Sequence, residues 1–341
     1  MRLKSLITVA ASAAALTFSN FAYAKEQRTL CVWDIVGRSG DTYNIMQDYA
    51  SEASSHGYEF RLRAYTDENI AAEDLKAGQC DAAAITGLRG RQFNSFTGSL
   101  DSMGSIPNDK VMRTVIQVLS SNNPSIKDKM RSGSYEVYGV APMGAAYLFV
   151  KDNTMTTVGD LAGKSISVME YDVGQAKMAA SVGMSPVLSD ITNFAGRFNN
   201  HSVDISFAPL LAYRALELYK GLEPDGGIVD FVLGQLTLQL IVRHDRFDEE
   251  FGDWSREYFY KNVLNRAFNL IDNSRKDVDD KWWITISGED YERYEEMLRD
   301  ARIDLTKEGV YNQDMMHLLR NLRCRLEADR AECSDEREVY N

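Results

Sequence analysis

The sequence predicts an α/β chain of two lobes joined by crossing strands, with a helical C-terminal region. Three observations predict it. Short apolar runs alternate with helix-period segments as β-α-β-α-β over residues 30–85, the pattern of a parallel sheet with right-handed crossovers. A similar alternation restarts after Gly159. Between and after these units lie apolar runs, Tyr135–Val140 with Ala145–Val150 and Phe231–Arg243, which read as strands crossing between the units. At 341 residues the chain suffices for two cores, and a 44% hydrophobic composition excludes a disordered one. A net charge of -12 argues against nucleic acid and anionic membrane surfaces, which need a basic face.

Residues 1–24 read as a secretory signal peptide. Arg2 and Lys4 precede an apolar run from Leu6 to Phe18, and Ala22-Tyr23-Ala24 is an A-x-A cleavage site, so cleavage after Ala24 is expected. Lys25 follows the cut in place of a lipidated cysteine. No later stretch approaches the roughly 18 uncharged apolar residues of a membrane span. The expected product is a free periplasmic protein with no membrane insertion.

In the mature chain, Leu30–Val36 reads as a strand, and Asp41 or Thr42 as the N-cap of a helix to about Ser55. Phe60–Tyr65, Ile70–Ala77 and Cys80–Ile85 give strand, helix, strand, and Val111–Leu119 a further helix. Tyr135–Val140 and Ala145–Val150 read as two strands around Pro142-Met143-Gly144. The second unit offers strands at Ser165–Met169, Pro186–Leu188 and Val203–Phe207. Its helices fall at Gly174–Ser181, near Phe194–Asn200, and from about Leu210 to Lys220. Phe231–Arg243 reads as a long strand returning to the first unit, and the rest is mostly helical, ending in helices over Asp290–Asp304 and Asn312–Glu327. Residues 25–148 plus 237–262 are therefore assigned to lobe I, 149–236 to lobe II, and 263–341 to C-terminal helices packed on both.

The stretch Thr86-Gly87-Leu88-Arg89-Gly90-Arg91-Gln92 leaves a buried-type strand through two glycines and delivers a hydroxyl, two guanidinium groups and an amide to one sheet edge. In open α/β sheets ligands bind outside the carboxyl ends of the strands, so Thr86, Arg89, Arg91 and Gln92 are site candidates. The alternative for each arginine is a solvated basic turn. Ser39 and Asp41 lie in the corresponding loop after the first strand.

Export favours disulfides. Cys324 and Cys333 flank a short charged loop and are expected to bridge. Cys31 and Cys80 stand near the starts of two strands and could bridge if those strands are neighbours; two separate buried thiols are the other reading. There is no C-x-x-C pair, and His56, His201, His244 and His317 are scattered, so no metal or other cofactor is expected. Catalysis is not expected either. A phosphate loop ending in Gly163-Lys164-Ser165 would need glycine at Val158, no G-x-S-x-G elbow occurs, and nothing fixes the distances among Asp101, Asp190 and Asp204.

Four blocks carry a resemblance: AITGLRGRQFNSFTGSLDSMG at 84–104, SDITNFAGRFNN at 189–200, GGIVDF at 226–231 and MLRDARIDLTKEGVY at 297–311. With these the chain resembles, over its whole mature length, the periplasmic solute-binding proteins of TRAP-type transporters, the DctP-like group. It is most similar to a subfamily some of whose members carry the label "RND-type efflux pump involved in aminoglycoside resistance". A pump needs many membrane spans, which this chain does not offer. The resemblance implies a bilobed periplasmic-binding-protein-like fold, a monomer, an interlobe ligand site and a membrane permease as partner. It also implies an arginine for the ligand carboxylate on the strand after a D-L-x-G-K turn. Here Asp160-Leu161-Ala162-Gly163-Lys164 is followed by Ser165-Ile166-Ser167, with Ser167 at that position. A serine cannot replace a planar charged fork. Either Arg89, Arg91 or Arg197 takes a ligand acid, or the ligand is an amine or polyhydroxylated cation. Asp34, Glu170, Tyr171, Asp172 and Gln175 suit the latter, although carboxylates at helix N-termini are also ordinary caps. Asn193, Phe194 and Arg197 form a second polar-aromatic cluster, and Gln235 completes the candidates. The function expected is capture of a small polar metabolite for a TRAP-type transporter. The alternative is a non-transport adaptor of an envelope or efflux complex.

Overall fold

A computed structural model describes residues 25–339; the leader assigned to 1–24 lies outside them. The first β-α-β-α-β unit comprises β1 (Glu26–Trp33), α1 (Asp41–Ala53), β2 (Tyr58–Tyr65), α2 (Glu68–Lys76) and β3 (Ala82–Thr86). After α3 (Asp109–Leu119), β4 (Tyr135–Val150) leads into β5 (Ser165–Met169), α4 (Val173–Ser181), β6 (Ser185–Ser189), α5 (Phe194–Asn199) and β7 (Ile205–Pro209). The long β8 (Gly234–Arg243) returns, and α6 (Glu249–Tyr258), α7 (Leu264–Lys276), α8 (Gly288–Lys307) and α9 (Gln313–Leu326) follow.

One sheet runs through both lobes in the order β2-β1-β3-β8-β4-β7-β5-β6. Its outer thirds are parallel, β1 with β2 and β3 at one end and β5 with β6 and β7 at the other. The antiparallel strands β4 and β8 join them. Alternation of side chains across the pleat puts a core on each face of each half. Trp33, Ile85 and Val137 face one side of the first half, and Val32, Ala84 and Leu240 the other. Ile166, Val168 and Leu148 face one side of the second half, and Phe149, Met169 and Ala208 the other. The C-terminal helices serve both: Leu298 of α8 joins the second half, while Met315 and Leu319 of α9 join the first.

Three sequence expectations are corrected. Tyr135–Val150 is one 16-residue strand, not two. Pro142 and Gly144 lie opposite Thr237 and Leu236, leaving Met143 as a bulge, so the apparent turn only bends the strand. Ala146 pairs with both Gly234 and Pro209, which is where β4 passes from one half to the other. The helix expected from Leu210 to Lys220 is broken into Leu211–Ala215 and Tyr219–Leu222, because Glu217 takes a left-handed conformation (φ 54°) between them. The N-cap of α1 is Gly40 rather than Asp41 or Thr42. The capping oxygen arrives from elsewhere, since Asp34 accepts the N–H groups of Val36 and Tyr43 at 2.9 and 3.2 Å. A Cβ at position 40 would lie 1.8 Å from the Asp34 carboxylate, so only glycine fits.

Both cysteine pairs are bridged. β1 and β3 are parallel neighbours, with Cys31 opposite Ala83, and the Cys31 and Cys80 Cα atoms stand 5.9 Å apart. Cys324–Cys333 (Cα–Cα 5.5 Å) ties the tail to α9.

Candidate functional site

The two halves meet along the carboxyl ends of β1, β3, β5 and β7, and a cavity of about 220 Å³ opens between them. Most of its wall is apolar: Trp33, Val36, Met143, Phe194, Phe207 and Leu236 contribute from both halves. Asp34, Ser39, Asp41, Thr42, Thr86 and Tyr171 supply its polar groups, and no lysine, arginine or histidine among the described residues lines it. A smaller chamber of about 40 Å³ shares Leu88, Phe207 and Leu236 with it and adds Asp101, Asp172 and Gln175.

Behind these walls the halves are linked by their own side chains. Glu68, fully buried at the start of α2, accepts hydrogen bonds from Thr86 Oγ1 (2.8 Å) and from the Tyr171 hydroxyl across the cleft. The Arg89 guanidinium lies 3.5 Å from the centroid of the Tyr171 ring and 3.8 Å from Glu68, and donates to Asn69 Oδ1 at 3.2 Å. Arg91 pairs with Asp172 at 3.1 Å, donates through Nε to Gly98 O, and faces the Tyr311 ring at 5.2 Å. Burial pushes the Glu68 carboxyl and the Tyr171 hydroxyl up from their ordinary values.

Asp101 completes this cluster. Its carboxylate accepts the Thr237 N–H (3.2 Å) and hydroxyl (2.6 Å), and the turn after β3 comes so close that a Cβ on Gly87 would meet both residues. Burial drives its pKa up to about 7, against the opposing effect of the Thr237 hydrogen bonds. An acid raised in the folded state binds protons that the unfolded chain has already lost. Asp101 should therefore lower stability progressively as pH rises from about 4 to about 7, at roughly 1.4 kcal/mol per unit at most, with no further loss above that window. Denaturant titrations at pH 4.5 and 8 should show a smaller pH dependence for Asp101→Asn. An unchanged difference would assign the slope to other carboxyls.

The predicted site residues are thus distributed unevenly. Asp34, Ser39, Asp41, Thr86, Tyr171 and Phe194 line the main cavity, and Asp172 and Gln175 the smaller one. Asp34 is buried and engaged with backbone N–H groups, Asp172 also caps α4 through Gly174 N, and Gln175 Oε1 accepts Met169 N–H at 2.8 Å. Arg89 and Arg91 stand behind the wall. Gln92, Glu170, Asn193, Arg197 and Gln235 line neither space. Gln92 donates to Arg89 O, Glu170 is exposed, and Arg197 turns toward Asn193, itself bonded to Asp190. Ser167 makes a 2.6 Å hydrogen bond to Ser189 and lines neither space. Sequence reasoning missed Glu68 and the apolar wall. Glu68 resembles any acid at a helix start, and Trp33 or Phe207 any core residue.

The comparisons agree with this architecture. The description "Solute-binding protein AdeT 1/2" matches residues 50–338. "Probable solute-binding protein AdeT1" of Acinetobacter baumannii is 43% identical over 303 residues, covering 89% of this chain and 99% of that protein. AdeT2 of the same organism is 27% identical over 230 residues, 67% of this chain and 94% of its own length. A TRAP periplasmic solute-binding protein of Desulfovibrio salexigens, solved with orotic acid, superposes with a TM-score of 0.73 at 13% identity, covering 89% of this chain and all of that one. The sugar acid binding protein DctPAm of Advenella mimigardefordensis, solved with galactonate, gives 0.72 at 13% identity, covering 88% and 99%. The fold is that of the bilobed TRAP-type binding proteins, and the chain belongs to the AdeT 1/2 family of solute-binding proteins.

Proposed function

We propose that this solute-binding protein works in the periplasm, encloses one small ligand between its lobes and presents the closed form to a TRAP-type membrane permease. The observation that carries the reading is the cavity at the carboxyl ends of four strands, with residues from both halves in its wall. The signal-peptide pattern supports the location, and the structural relatives support the permease. Ligand shifts the open–closed balance by its differential affinity for the two states. The hinge of this mechanism lies within Met143–Val150 and Leu236–Val242; the change of β4 partners at Ala146 and the register shift of β8 after Leu236 support it. Lobe I is then 25–148 plus 237–262, and lobe II 149–236. The protein acts as a monomer and needs no cofactor.

The test is mass spectrometry of small molecules released by denaturing the purified mature protein. One metabolite at one-to-one stoichiometry is the expected result, because closure slows escape. An empty cleft, followed by no thermal shift with acids, amines, sugars or aminoglycosides, would replace transport by the envelope-adaptor reading.

A further inference from the structure

The solved relatives were crystallised with organic acids such as orotic acid, succinate and galactonate. The cleft of this chain has the opposite charge logic. Its two nearby cations already have partners: Arg89 lies between Glu68 and the Tyr171 ring, and Arg91 is held by Asp172. A ligand carboxylate would have to displace an internal carboxylate to reach either. Ser167 offers no charge and is turned to Ser189. The charged residues that line the cavity are Asp34 and Asp41, both acids. Asp34 is engaged by the Val36 and Tyr43 N–H groups, whereas Asp41 makes no side-chain hydrogen bond or ion pair among the described residues.

The rest of the wall decides the body of the ligand. Trp33, Tyr171, Phe194 and Phe207 present aromatic surface, and Val36, Met143 and Leu236 fill between them. The cavity of about 220 Å³ is of a size to take one small molecule. A ligand carboxylate beside Asp34 and the exposed Asp41 would meet like charge, with no cation among the described residues of the wall to offset it. An ammonium facing Asp41 gains from the carboxylate, and an apolar body gains from the aromatic and aliphatic wall.

We propose that the cleft selects a small monoamine with an apolar body, its ammonium directed to Asp41 and its body against Trp33, Phe194 and Phe207. The inference rests on the solute-binding reading and narrows it to a ligand class. Three probes share one body and differ in the head group: 2-phenylethylamine, 2-phenylethanol and 3-phenylpropionate. Calorimetric titration of the full mature protein should show the amine binding about 10-fold tighter than the alcohol, and no binding of the acid. Asp41→Asn should collapse the amine-to-alcohol ratio towards one, and Asp41→Glu should restore it. Tighter binding of the acid, an unchanged ratio in Asp41→Asn, or binding of none of the three would overturn the inference. A copurified acid found in the release experiment would also overturn it while upholding solute binding, so the two failures are distinguishable.

Discussion

Glu338→Ala should lower the stability of the protein by about 3–5 kcal/mol, although position 338 is almost at the end of the chain. Glu338 is wholly buried and stands between two buried guanidinium groups, Arg302 of α8 and Arg323 of α9. It accepts from Arg302 Nε at 2.5 Å and from Arg323 Nη2 at 3.2 Å. The same arginines donate to the carbonyls of Met103 (3.0 Å) and Ser105 (2.8 Å), so one carboxylate neutralises the junction between the C-terminal helices and the loop after the GLRGR segment. Burial and the neighbouring Arg302 already pull the Arg323 pKa down to about 10. Removing Glu338 leaves two buried cations with Glu332 as the remaining close anion, 3.3 Å from Arg323 Nε. Urea denaturation of Glu338→Ala, Glu338→Gln and Arg323→Met/Glu338→Gln checks the cause. The double variant should recover part of the loss. A cost below about 1 kcal/mol for Glu338→Ala would mean that solvent reaches the cluster and the tail is no structural plug.

The alternation of elements was legible because it depends on local pattern. Cys80–Ile85, from which β3 forms, is an apolar run between Gly78 and Gly87, and on α1 Ile45, Met46, Tyr49 and Ala53 recur at 3–4 spacing and are all covered. What failed depends on neighbours. Pro142-Met143-Gly144 has the composition of a turn, yet pairing with Leu236 and Thr237 of β8 holds it in a strand. The site divides along the same line. Polar groups at strand ends could be found from position alone, as Thr86 and Tyr171 were. Their charge state could not, because Glu68 comes to Arg89 from 21 positions upstream and Asp172 to Arg91 from the other lobe. A sequence shows two arginines as free cations. Packing makes them internal ion pairs.

Arg91→Met should cost about 3–5 kcal/mol and spread the lobes, whereas Arg91→Met/Asp172→Leu should recover most of the stability without restoring closure. Arg91 pairs with buried Asp172 at 3.1 Å, and its charge also acts on buried Asp101, which lines the small chamber together with Asp172. Its removal leaves Asp172 buried without its cation, and the unfolded chain or an opened cleft relieves that cost by hydrating the carboxylate. Removing Asp172 as well takes away one charge, and the raised pKa of Asp101 lets the other remain protonated up to neutral pH. The recovery should therefore be larger at pH 6 than at pH 8. Tyr171–Glu68 remains a cross-cleft hydrogen bond in both variants, so opening will be partial. Small-angle scattering reads the spread of the lobes and denaturant titration the stability. If Arg91→Met is compact and the double variant is no more stable than the single, the Arg91–Asp172 pair does not hold the lobes together, and closure depends on the apolar wall.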